Sequence, residues 1–246
     1  MITFVTCLFD GKSFGVPHTN DVYDGSWVDK LYRGLDRNTT NAFELVCLVD
    51  RQYKMLPSIK QVPFYEQSNS VAGWSILAEM YRPDLASGQR CTIGLDTIIL
   101  KNIDDVVSFN GNMGLVSDPF SHEPWVSKYP WFKDEVCNAI SISSKLSSDK
   151  VWDVWTNRKQ WVYENCILPS HGTLSEMVLL RKMFNADKRC AKLDYIYPGK
   201  IFSYKCDILI QPELIHDASI IYFHGNIKPH NLSSSVLDQT IKDNWI

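Results

Sequence analysis

Residues 27–50, WVDKLYRGLDRNTTNAFELVCLVD, change their hydrophobic period half-way along. In the first part Trp27, Leu31 and Leu35 recur at helical spacing, with Lys30, Arg33 and Arg37 elsewhere on the surface. In the second part FELVCLVD (43–50) is almost continuously apolar and stops at an aspartate. Such a run fits a strand covered on both faces, as strands of a parallel sheet are. Upstream, ITFVTCLF (2–9) has the same character and stops at Asp10-Gly11. Strand, helix, strand is the right-handed crossover unit, so the predicted class is α/β.

Working outward, residues 12–26 are rich in Gly, Pro, Asn and Asp and read as a loop. IKQVPFYE (59–66) is a short third strand, and SILAEMYRPDL (75–85) reads as a helix stopped near Pro83. QRCTIGLDTIIL (89–100) reads as the next strand, followed by NIDDVVSF. From 110 to 170 the pattern is irregular and suggests loops over a core. SHGTLSEMVLLRKMFNAD (170–187) is the clearest later helix, with Leu174, Met177 and Val178 on one side. KIFSYKCDILI (200–210) and ASIIYFHG (218–225) read as late strands, and a polar tail leads to a short terminal helix. With no repeat and no linker, one domain over 1–246 is expected.

The bulk numbers suit a soluble globular chain. Of 246 residues, 45% are hydrophobic and 22% charged, which is ordinary for that class. A formal charge of -3 argues against a general nucleic-acid binder. Seven cysteines with no C-x-x-C spacing read as reduced thiols, several of them in apolar runs. The opening MITFVTCLFDG lacks the basic region and long apolar run of a secretory leader. No stretch is long enough for an integral membrane segment. The expected compartment is the cytoplasm.

In an open α/β sheet ligands bind outside the carboxyl ends of the strands. Asp10, Asp50 and Asp96 stand at or near such ends. Each on its own fits a loop or turn acid; together they also fit a site for sugar hydroxyls, a ribose or a hard cation. FHGNIKPH (223–230) places His224, Gly225 and Lys228 directly after a β-rich run. A glycine lets backbone N–H groups approach an anion and a lysine supplies charge, but G-N and K-P are also ordinary turn chemistry.

Those two stretches carry a resemblance. LDTIILKNIDDVVSF (95–109) is similar to the segment around the metal-binding D-x-D motif of GT-A glycosyltransferases, especially the glycogenin-like family 8 and its bacterial and viral relatives. FHGNIKPH resembles the late Gly-x-x-Lys-Pro segment of that family. The likeness covers most of 1–109 and 218–230. It implies a GT-A (Rossmann-like) fold with a mixed, mostly parallel sheet flanked by helices, 1–109 forming the nucleotide-binding half and 110–246 the acceptor side. It implies a metal-dependent hexosyltransferase that takes a UDP-sugar donor to a glycan or other hydroxyl acceptor, with retention. Thr6, Cys7 and Leu8 would flank the base, and Asp50 would lie near the base or ribose. Gly225 and Lys228 would hold the diphosphate. Asp96, with His224 as second ligand, would bind Mn²⁺ or Mg²⁺.

The pattern departs from the family in four places. Gly94 replaces the first acid of D-x-D, and Tyr222 stands where the metal-binding His is usual, with His224 two residues on. The basic residue expected in SILAEM is absent, Arg82 lying just beyond, and Ser175-Glu176 replaces an Asp-Gln pair. Glu176 and Asp118 are candidates for positioning the acceptor. Trp125, Trp131, Trp152, Trp155 and Trp161 offer either sugar platforms or core. Two other readings stay open: a nucleotide-sugar- or carbohydrate-binding protein without turnover, and a nucleotidyltransferase.

Overall fold

The crossover expected over residues 2–50 is present. Strand β1 (Ile2–Leu8) runs into helix α1 (Gly25–Asn38) and returns as β2 (Phe43–Val49), parallel to β1 and in register from Ile2 opposite Phe43 to Leu8 opposite Val49. The Asp24 carboxylate accepts the Ser26 N–H at 2.9 Å and so caps α1. The helix buries Trp27, Val28, Leu31 and Leu35 against one face of the sheet. The Asn38 amide closes its far end, donating to the Gly34 carbonyl at 2.9 Å and the Ile99 carbonyl at 3.1 Å. The computed structural model describes residues 1–16, 23–66, 72–122, 135–169, 172–184, 190–233 and 235–246.

The chain continues through β3 (Ile59–Pro63), β4 (Arg90–Ile93), β5 (Thr97–Ile99), α2 (Asp104–Val107), β6 (Met113–Ser117) and β7 (Val136–Ser143). Helices α3 (Lys145–Asn157) and α4 (Lys159–Asn165) follow, then a small hairpin of β8 (Ile167–Leu168) and β9 (Thr173–Leu174). Last come α5 (Glu176–Phe184), β10 (Cys190–Lys192), α6 (Leu193–Ile196), β11 (Ile201–Ser203), β12 (Ile220–Tyr222) and α7 (Val236–Asn244). The main sheet has the order β10-β6-β7-β4-β1-β2-β3, and β7 alone runs antiparallel to its neighbours. A second sheet has the order β11-β12-β5. Apolar clusters fill both faces of the main sheet, and a third lies beneath the second sheet.

Several elements differ from the sequence expectation. The single strand read over 89–100 is two, because the chain turns at Gly94–Asp96 and leaves one sheet for the other. The Gly94 N–H goes to the Ala139 carbonyl on β7 at 3.2 Å, and the Thr97 N–H closes the turn on the Gly94 carbonyl at 3.2 Å. Residues 75–81 form a 3₁₀ run rather than an α-helix. Nearly every side chain there is buried, so tertiary packing overrides helical preference. The later helix begins only at Glu176, and the two late strands shorten to Ile201–Ser203 and Ile220–Tyr222.

The irregular middle holds two full strands and two helices. Their hydrophobic signal is masked by buried hydroxyls that satisfy one another. Ser141 bonds Tyr81 at 2.9 Å and Thr92 at 2.7 Å, while Ser143 bonds Ser148 at 2.8 Å. A polar residue buried with a partner is stable, yet it reads in sequence as a loop residue.

Candidate active site

From β1 the chain builds β2 and β3 on one side, then crosses back to place β4 on the other. The switch point of the sheet is therefore the gap between the carboxyl ends of β1 and β4, where such folds bind ligands. The Gly94–Asp96 turn follows β4 directly into that gap.

Asp96 is the hub. Its Oδ2 accepts the Tyr23 hydroxyl at 3.1 Å and is ion-paired with the Lys228 ammonium. Its carbonyl accepts the Phe223 N–H at 3.0 Å, so the turn runs beside the chain that leads into FHGNIKPH. Tyr23 sits one residue before the cap of α1, with its ring 4.7 Å from Trp27. Burial, then the Asp96 charge, raises the Tyr23 hydroxyl well above its ordinary value, which keeps it a donor. Lys228 is only 8% exposed. Its loop is pinned by the Lys228 N–H to Asn231 Oδ1 at 2.8 Å and by the Asn231 amide to the Asn226 carbonyl at 3.1 Å. Gly225 opens this loop at φ 69°, a left-handed conformation that glycine adopts without strain, and open space lies where a Cβ would be.

His224 lies on the same segment, and its hydrogen-bond partners lie outside this hub. Its Nε2 is 2.9 Å from the Ser203 hydroxyl and 3.7 Å from Cys206 Sγ, and its ring stands edge-on to Phe120 at 5.3 Å. Burial, then the charges of Lys205 and Lys228, lower its pKa, so the imidazole is neutral at physiological pH.

Glu176, the first residue of α5, is fully buried. Its Oε2 accepts the Asn138 amide at 2.5 Å, and its Oε1 has no hydrogen bond of ordinary geometry. The Tyr81 hydroxyl is near enough to favour the charged form, although its own short bond is to Ser141. Burial wins and lifts the carboxyl to about 7. Cys7, near the end of β1, feels the charges of both this acid and Asp96. Burial pushes its thiol up to about 12, with the charges of Glu176 and then Asp96 adding to the effect. A thiol so raised is not a nucleophile near neutrality.

Of the other candidates, Thr6 and Leu8 are buried in the sheet packing. Asp50 and Asp10 meet at the ends of β2 and β1, the Asp10 N–H reaching Asp50 Oδ2 at 3.2 Å. Asp50 Oδ1 takes the Tyr53 hydroxyl at 2.7 Å, and Asp10 caps the short turn after β1. Asp118 uses both oxygens internally, on the Phe120 N–H at 2.9 Å and on Arg181. Arg82 is buried in an ion pair with Glu79 at 3.2 Å and reaches Asp84 at 2.6 Å. Trp155 belongs to the core at 1% exposure, Trp152 packs beside Tyr65, and Trp161 is exposed. Trp125 and Trp131 lie outside the described residues. Sequence reading missed Tyr23 and Asn138. Tyr23 adjoins a capping aspartate, a weak pointer to an ordered position, and Asn138 carries no signal of its own.

Solved structures share this fold. The galactosyltransferase LgtC, in complex with donor and acceptor sugar analogues, matches 99% of this chain and 95% of its own at a TM-score of 0.61 and 8% identity. The chain has the GT-A fold. The bifunctional WbbM matches 99% of this chain at a TM-score of 0.58 and 11% identity, and the glycosyltransferase GlyE of Streptococcus pneumoniae TIGR4 matches 99% at 0.60 and 11%. This GT-A chain spans 49% of WbbM and 60% of GlyE. No protein-family model matches the sequence, and no curated protein matches it.

The GT-A fold raises the question of a divalent cation, and the donor set answers it poorly. Among the described residues no three His, Cys, Asp or Glu side chains group as metal ligands. Gly94 offers no donor, and His224 is turned toward Ser203 and Cys206. One carboxylate could serve Mg²⁺ together with substrate phosphates, but the Asp96 carboxylate already holds an ammonium in direct contact. A divalent ion there would sit against a full positive charge at short range. The described residues do not fit it.

Proposed function

We propose that this chain is a glycosyltransferase that moves a hexose from a UDP-sugar to a hydroxyl of a glycan or similar acceptor, with retention at the anomeric carbon. The observation that carries this reading is the meeting of Asp96, Tyr23 and Lys228 at the switch point of a GT-A sheet. In the reaction the bond between sugar C1 and the diphosphate oxygen breaks. A bond from C1 to the acceptor oxygen forms, and the acceptor proton leaves with the diphosphate or a nearby base. Negative charge grows on the leaving diphosphate, and a fixed, largely buried cation stabilises it better than it stabilises the ground state. Lys228 supplies that cation, and the left-handed turn at Gly225 lets backbone N–H groups approach the same phosphates.

Glu176, held by Asn138 at the start of α5, acts electrostatically on Cys7, as Asp96 does. A carboxyl near 7 can take or hold a proton at neutral pH, and being fully buried it would act on an acceptor only through Asn138. Asp50 lies on the β1–β2 side, where a nucleoside would rest. Among the described residues no helix is long and apolar enough to cross a membrane.

The test is UDP release from a panel of UDP-hexoses, with and without simple glycosides as acceptors. Wild type should release UDP, and Lys228→Ala should lose about a hundredfold of that rate, the range expected for one charge-stabilising donor. UDP-induced stabilisation without turnover would favour a binding protein on the same fold. Pyrophosphate release would favour nucleotidyl transfer.

A further inference from the structure

We propose that Lys228 is the resident cation of this site, so that the protein engages a nucleoside diphosphate without a divalent metal. The inference rests on the donor reading above and deepens it. Three independent features of the hub support it. The acid that would complete a metal pair is replaced by Gly94, where even a Cβ would stand 3.0 Å from Asp96 Oδ1. The remaining carboxylate is neutralised by an ammonium that is itself buried, and Tyr23 donates to the same oxygen. The histidine on the same segment has its Nε2 engaged by a serine hydroxyl and a thiol.

The lysine is preorganised for this role. Its backbone is locked by Asn231, its ammonium is oriented by Asp96, and the Tyr23 ring lies 5.8 Å from it. An ammonium has three N–H donors, so one can stay on Asp96 while others meet phosphate oxygens. Asp96 in this arrangement is a positioning residue, holding the cation where the diphosphate arrives. Holding a charge in place before the ligand binds lowers the reorganisation needed on binding.

UDP binding measured by calorimetry and by thermal shift separates the possibilities. The metal-stripped protein is compared in EDTA and in millimolar MnCl₂. The expected result is a UDP affinity that differs by less than about twofold between the two, with no Mn²⁺ bound to the UDP complex by electron paramagnetic resonance. Lys228→Ala should weaken UDP about tenfold or more in both buffers, as loss of a charge-assisted donor does. Lys228→Arg keeps the charge and guards against a folding artefact, and it should recover most of that loss. Gly94→Asp should create a dependence on Mn²⁺ that wild type lacks. UDP binding only in the presence of Mn²⁺ overturns this inference and leaves the donor reading standing. Failure of UDP to bind in either buffer overturns both.

Discussion

Asp96 and Lys228 stand 132 residues apart in sequence and share one hydrogen bond at the centre of the site. Tyr23 joins the same carboxylate from a third segment. Tyr23→Phe should therefore weaken UDP binding by a factor of about three to ten, the worth of one ordinary hydrogen bond, since the hydroxyl acts on UDP only through Asp96. It should leave the melting temperature nearly unchanged, because the ring contact with Trp27 persists. Glu176 makes a separate prediction. Its folded pKa of about 7 lies above the ordinary 4.5, so between those values the folded state binds more protons than the unfolded one. Stability is thus highest, as far as this group is concerned, below about pH 4.5 and falls as pH rises through 7. The full effect is about 3 kcal/mol for a buried group. Urea unfolding across pH 4.5–8 should show this downward slope in wild type and lose it in Glu176→Gln.

At the scale of elements, the turn between β4 and β5 does the decisive work, since it carries the chain from the main sheet to the second one and leaves Asp96 at the crossing. That acid was visible in TIGLDTIIL as a break in an apolar run. The turn itself was not, because a lone glycine in a strand pattern also signals a bulge or a close approach. The same limit explains the middle third, whose buried Ser141, Ser143, Ser148 and Thr92 are hydrogen-bonded pairs that sequence periodicity scores as surface. The 3₁₀ run over 75–81 ends in the Arg82 network, in which Glu79 also accepts the N–H of Tyr65 at 2.7 Å and of Glu66 at 2.9 Å. Arg82→Ala would strand a buried carboxylate and should cost about 3–5 kcal/mol in denaturant unfolding. On α3, Trp155→Ala should cost a similar 3–5 kcal/mol and alter no sugar specificity, because the side chain is core.

For the whole molecule, the crossover β1–α1–β2 and the parallel sheet followed from the change of hydrophobic period, and Asp10, Asp50 and Asp96 as candidates from the rule that ligands gather outside the carboxyl ends of strands. The closing segments complete it. Trp245, just past α7, packs edge-on to Trp27 at 4.7 Å and lies under Lys30, so the C-terminal end buttresses the helix that follows Tyr23. None of these long-range pairings has a local signature, which is why Tyr23 and the Lys228–Asp96 contact emerge only in the fold. The most direct test of the account is a crystal structure of the protein soaked with UDP. The diphosphate should lie against the Lys228 ammonium and the Gly225 turn, with the nucleoside toward Asp50. UDP bound elsewhere, with the Lys228–Asp96 pair undisturbed and unvisited, would contradict it.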